Sequence, residues 1–178
     1  MNNIHTLSCR LNIVPQQRGQ LEATLEAFAA ACNTIWAYGV EQQTNQQWAL
    51  HQGCYKSIRK LYGIPASLAI RAIARVAIDL KVRRPGAYPY PPNYIAFDSR
   101  SFILHKQDWS AGLTLLHGRE KFHLDLAKRQ QSLLEGYAPA STVLLKKYRS
   151  FYLEFNLGST AHGLAPSSRP TGIKPAVV

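Results

Sequence analysis

Ile4-His5-Thr6-Leu7-Ser8-Cys9-Arg10-Leu11-Asn12-Ile13-Val14-Pro15 is the stretch on which the fold of this chain turns. Leu7, Cys9, Leu11 and Ile13 fall on one face, and Thr6, Ser8, Arg10 and Asn12 fall on the other. That period of two predicts a half-buried strand over residues 4–14. Pro15 ends the strand and opens a helix, a position where its missing N–H costs nothing.

Downstream the period changes to that of a helix. Over about residues 16–43, Leu21, Leu25, Phe28, Cys32 and Ile35 recur at steps of 4, 3, 4 and 3, an apolar stripe. Asn45 is suited to cap a second helix, about 46–62, with Trp48, Tyr55, Ile58 and Tyr62 roughly in line. Gly63 stops it, and Ile64, preceding Pro65, is pushed toward extended geometry. A third helix is predicted over about 65–82, with Ala69, Ile73, Val76 and Leu80 facing inward and Arg71 and Arg75 sharing a face. Pro85 to Pro92 then holds four prolines and two tyrosines, a stiff connector that cannot be helix.

Beyond the connector the period returns to two. Strands are predicted at 94–98, 102–106, 112–117, 120–126, 141–148 and 150–157. The last is the clearest: Phe151, Leu153, Phe155 and Leu157 alternate with Tyr152, Glu154 and Asn156. A short helix, about 127–135, stops at Gly136, and from Gly158 a Gly/Ser/Pro/Ala-rich stretch reads as a disordered tail or severed linker. If the opening strand pairs with the later ones, the fold is α+β: a small antiparallel β-barrel, OB-like, from residues 4–14 and 93–157, interrupted by a three-helix insertion over 15–84. The connector is 85–92 and the tail 158–178.

At 178 residues, 46% hydrophobic and 17% charged, the chain can bury a core and is no disordered basic protein. Cys9, Cys32 and Cys54 are odd in number, widely spaced and form no CxxC pair, which argues against a disulfide framework or a zinc site. The N-terminus lacks a signal-peptide pattern and no run of about 18 apolar residues exists. A cytoplasmic protein without a membrane partner is expected.

The net charge of +11 is unevenly placed. Lys56, Arg59, Lys60, Arg71, Arg75, Lys81, Arg83 and Arg84 are eight bases facing the single acid Asp79 between positions 56 and 84. Cations on ordered helices point to a polyanion, which they hold through counterion release. Tyr55, Tyr62, Tyr88 and Tyr90 are interleaved and offer rings for unpaired bases. The bland alternative is a solvated basic face. Lys146, Lys147 and Arg149, with Arg119 and Lys121, form a second basic group at strand ends; they suit either a phosphate backbone or ordinary gatekeeping.

Signs of catalysis are weak. Asp98, Asp108, Glu120, Asp125 and Glu154 show no pattern of converging two-metal carboxylates. His123 and Asp125 alternate on one strand with His117 nearby, and His51 stands three residues from Cys54; solvated positions explain both. No Walker, GxSxG or GxGxxG motif occurs, and no cofactor is implied.

Several scattered pieces together resemble the N-terminal part of TnpB-type proteins, the transposon-encoded RNA-guided DNA endonucleases also called OrfB transposases, whose ancestry type V CRISPR effectors share. Leu21, Leu25, Phe28, Ala31, Cys32 and Asn33 resemble the first long helix of that family. Leu50-His51, Tyr55, Ile58-Arg59 and Tyr62-Gly63-Ile64-Pro65 resemble its second helix and turn, and Ala69, Arg71-Ala72-Ile73 and Val76-Ala77 its third. Phe97-Asp98, Arg100-Ser101-Phe102, Gly118-Arg119, Phe151-Tyr152-Leu153 and Phe155 resemble its β-segments. The resemblance runs over about residues 4–157 and lies in the order and spacing of the pieces.

It implies a wedge domain interrupted by a helical recognition lobe, binding guide RNA, the guide–target heteroduplex and target DNA. The recognition-lobe contacts would include Lys56, Arg59, Arg71 and Arg75, and the wedge contacts Lys146, Lys147 and Arg149. The family's RuvC-like nuclease and zinc ribbon would follow residue 157, where this chain has its Gly/Ser/Pro stretch. The expectation is therefore a fragment that binds but does not cut, with a separately encoded nuclease portion as a possible partner. The alternative is a stand-alone RNA-binding or regulatory protein of the same architecture.

Overall fold

A computed structural model describes residues 5–82 and 88–157. Arg83, Arg84, residues 85–87 of the connector and the 158–178 tail lie outside the described residues. The order is β1 (His5–Asn12), α1 (Pro15–Glu41), α2 (Gln47–Tyr62), α3 (Ala66–Val82), β2 (Tyr94–Asp98), β3 (Phe102–His105), β4 (Ser110–Leu115), β5 (Gly118–Asp125), α4 (Lys128–Glu135), β6 (Ser141–Lys147) and β7 (Ser150–Leu157).

The opening strand does find its partners downstream. One antiparallel sheet of seven strands has the order β2-β6-β7-β1-β5-β4-β3, so β1 is its central strand. Leu7 lies opposite Phe155, Cys9 opposite Leu153 and Leu11 opposite Leu124, all of them buried. The two edge strands, β2 and β3, are consecutive in the chain. A tight turn joins them, in which Ser101 N–H donates to the Asp98 carbonyl at 2.9 Å and Asp98 N–H donates to Ser101 Oγ at 3.1 Å. Edges joined by so short a turn force the sheet to curl, and it forms an antiparallel half-barrel around Phe97, Phe102, Phe122, Phe151 and Phe155.

Helices α1, α2 and α3 pack against one another, and α1 and α3 both touch β2. Helix α1 begins where Pro15 allows it, and Gln17 Oε1 accepts a bond from the Val14 N–H at 3.2 Å. Close packing of α1 on α3 needs Gly39: a Cβ there would stand 2.5 Å from Leu80 Cδ1 and 3.0 Å from the Thr44 carbonyl oxygen. Gly63 closes α2 in the left-handed region, at φ 66°, which a side chain would resist.

Three expectations need correction. Gln46, not Asn45, occupies the cap position of α2, and the Asn45 carboxamide accepts from Gln46 Nε2 at 3.4 Å rather than from the helix. Trp48 is not in the inward stripe; Leu50, Cys54 and Ile58 fill it at steps of 4, and Trp48 is 70% exposed. Strand β4 starts at Ser110 and ends at Leu115, not over 112–117. Ser110, Ala111, Gly112 and Leu113 are all buried, so the alternation that would mark its start is missing.

The connector is no free spacer where it is described. Tyr90 is buried, its backbone N–H donates to Asn33 Oδ1 at 2.7 Å, and its carbonyl accepts from Asn33 Nδ2 at 3.4 Å. Among the described residues no helix is long and apolar enough to cross a membrane.

Candidate nucleic-acid interface

Because Leu50, Cys54 and Ile58 turn inward, α2 presents Trp48, His51, Gln52, Lys56, Arg59 and Lys60 outward, with Tyr55 half-buried at the edge of that face. Trp48, Gln52, Tyr55 and Arg59 follow at steps of 4, 3 and 4, which at about 100° per residue is one face. His51 stacks on Tyr55 with ring centroids 4.6 Å apart and planes within 17°. The Arg59 guanidinium lies 5.6 Å from the Tyr55 ring centroid, while its Nε donates to the Ile64 carbonyl at 3.4 Å. Lys56 and Lys60 flank this ladder. Both are exposed, and neither side chain makes a hydrogen bond or ion pair among the described residues. The helix contains no acid.

Arg71 and Arg75 stand apart from that face. Arg75 lies between two rings, 4.8 Å from the centroid of Tyr90 and 4.2 Å from that of Tyr94, and its Nη1 donates to the Tyr94 carbonyl at 3.4 Å. Its Nε is 3.9 Å from Asp79, a buried carboxylate that also accepts from the Tyr90 hydroxyl at 3.1 Å. Burial and that carboxylate both push the Tyr90 phenol upward from its ordinary pKa. Arg71 is half-buried, its Nε enclosed without a hydrogen-bond partner. Lys81 is exposed in the last turn of α3, where a cation suits the helix dipole.

The interleaved tyrosines divide as well. Tyr90 is inaccessible, Tyr62 shares a 2.6 Å hydrogen bond with Thr34, and Tyr88 stacks on Trp36 at 6.0 Å. Tyr55 keeps its place on the α2 face.

In the second basic group most cations have a partner. Lys146 pairs with Glu22 at 3.0 Å, Lys147 with Glu154 at 3.2 Å, and Lys121 with Asp108. Arg119 donates to the Arg100 carbonyl at 2.7 Å. Hydrogen bonds from Lys121 and the Ser110 hydroxyl hold the Asp108 carboxyl down at about 2. Arg149 is exposed, and its carbonyl accepts from Arg18 Nη1 at 2.8 Å. It belongs to the two-residue loop between Lys147 and Ser150, whose other member is Tyr148, 99% exposed at φ 55°.

Among the described residues no three His, Cys, Asp or Glu side chains are grouped to hold a metal ion. His117, His123 and Asp125 are exposed on or beside β5. Burial pushes the Cys9 and Cys32 thiols up to about 12 and Cys54 to about 11, so all three are packing groups at neutral pH.

Trp48, His51 and Tyr148 also stand on these surfaces, although spacing puts Trp48 in the inward stripe of α2 and His51 beside Cys54. A stripe of Leu50, Cys54 and Ile58 at steps of 4 was present to place Trp48 outside. Tyr148 was assigned to the end of a strand rather than to a turn.

No protein-family model matches this sequence, and no curated protein matches it either.

Proposed function

We propose that this chain binds nucleic acid, and that the outward face of α2 is its main contact. One observation carries the reading: an acid-free helix presents Lys56 and Lys60, without partners among the described residues, beside an exposed Trp48 and a stacked His51–Tyr55–Arg59 ladder. Cations that no carboxylate neutralises are the ones able to release counterions from a phosphate backbone. Arg75 serves the fold instead, and Lys121, Lys146 and Lys147 reach phosphate only by giving up an ion pair.

The element order adds a second layer. A first strand paired with strands that follow three helices is the arrangement expected of an OB-like wedge interrupted by a recognition lobe in TnpB-type proteins. On that reading the ligands are a guide-type RNA and its DNA target. The described residues bind without cutting, and cleavage belongs to a separate nuclease portion.

Binding of fluorescently labelled RNA and DNA, followed by anisotropy, tests the reading. With three α2 cations engaged, affinity should fall about 20- to 40-fold between 50 and 200 mM salt. Replacing Lys56, Arg59 and Lys60 together by Ala should weaken binding and flatten that dependence. No binding at low salt, or binding indifferent to salt, would sink the proposal.

A further inference from the structure

The β6–β7 hairpin ends in a residue that its own fold does not explain. Lys147 pairs with Ser150, leaving Tyr148 and Arg149 as a two-residue loop. Only the first of them has positive φ, 55° at Tyr148. The first position of such a turn favours glycine, because a Cβ there crowds the following carbonyl. A bulky ring at this φ is an outlier that carries a local cost.

Nothing among the described residues offsets that cost. Tyr148 is 99% exposed, and among the described residues its ring stacks on no other and its hydroxyl makes no hydrogen bond. Its neighbours are cationic: exposed Arg149 on one side, Lys147, which is paired with Glu154, on the other, and Arg18 bonded to the Arg149 carbonyl. A flat apolar surface held out into water between positive charges matches an unpaired base on a phosphate backbone.

We propose that Tyr148 is a base-stacking residue, and that the Lys147–Tyr148–Arg149 tip takes an unpaired base of a nucleic-acid strand. The proposal rests on the nucleic-acid reading above and adds a second contact to it. Ring and cations read base face and phosphate rather than sugar, so RNA and DNA single strands are both expected as ligands.

Tyr148→Gly separates a functional ring from an idle one. Glycine relieves the turn, so thermal stability should hold or rise by a few degrees. Affinity for a twelve-nucleotide single strand should nonetheless fall roughly 5- to 150-fold, the range for losing one stacked base. The salt slope should not change, because no charge is removed. Tyr148→Phe should retain wild-type affinity, and a blunt duplex of equal length should bind the Gly variant and the wild type alike.

If Tyr148→Gly binds the single strand as tightly as wild type, the stacking role is overturned. It is equally overturned if the variant loses several degrees of stability, since the ring would then be holding the fold. Should the wild type bind no nucleic acid at low salt, the parent reading fails and takes this one with it. If instead the Lys56/Arg59/Lys60 variant loses binding while Tyr148→Gly does not, only the tip is refuted.

Discussion

Two cations on neighbouring helices show how one charge can do different work. Lys56 is exposed with no partner among the described residues, while Arg75 is wedged between Tyr90 and Tyr94 beside buried Asp79. Truncating Arg75 removes two cation–π contacts, a bond to the Tyr94 carbonyl and a neighbour of a buried carboxylate. Arg75→Ala should therefore cost about 1–3 kcal/mol of stability. Lys56→Ala should stay within about 0.5 kcal/mol while weakening nucleic-acid binding. Urea midpoints at unchanged m-value separate the two. Equal stability losses would mean that Arg75 is as free as Lys56. Spacing revealed that Arg71 and Arg75 share a face but not that Tyr90 and Tyr94 would close over Arg75.

At the scale of elements, helix and strand limits were legible to within a few residues, because each carries its own apolar period. The exceptions have local causes. Strand β4 is buried on both faces and so lost its alternation. On α2 the rough alignment of Trp48, Tyr55, Ile58 and Tyr62 masks the Leu50–Cys54–Ile58 stripe that turns inward. Helix contact depends on Gly39, where Leu80 and the Thr44 carbonyl leave no room for a side chain. Gly39→Val should destabilise the fold by about 1–3 kcal/mol through overpacking, read as a lower denaturation midpoint. An unchanged midpoint would show that α1 and α3 can slide apart without cost.

For the whole molecule, the decisive fact is the central place of β1 in a sheet whose other strands come some eighty or more residues later. Deleting residues 5–12 should split the sheet into β2-β6-β7 and β5-β4-β3 and expose two new edges. Loss of cooperative unfolding and aggregation on size exclusion are the expected results; a monomer unfolding in one step would contradict the topology. By itself the sequence determined the periodic elements, their order and the excess of positive charge, since these depend on residues near one another in the chain. Which strands pair, which cations remain unneutralised and which rings face water depend on contacts between distant residues. Thr6 meets Asn156 and Asn33 meets Tyr90 only after the chain has closed. The tertiary structure alone decided those, and with them that Lys56 and Lys60 stay exposed without a partner among the described residues while Arg75 is enclosed between Tyr90 and Tyr94.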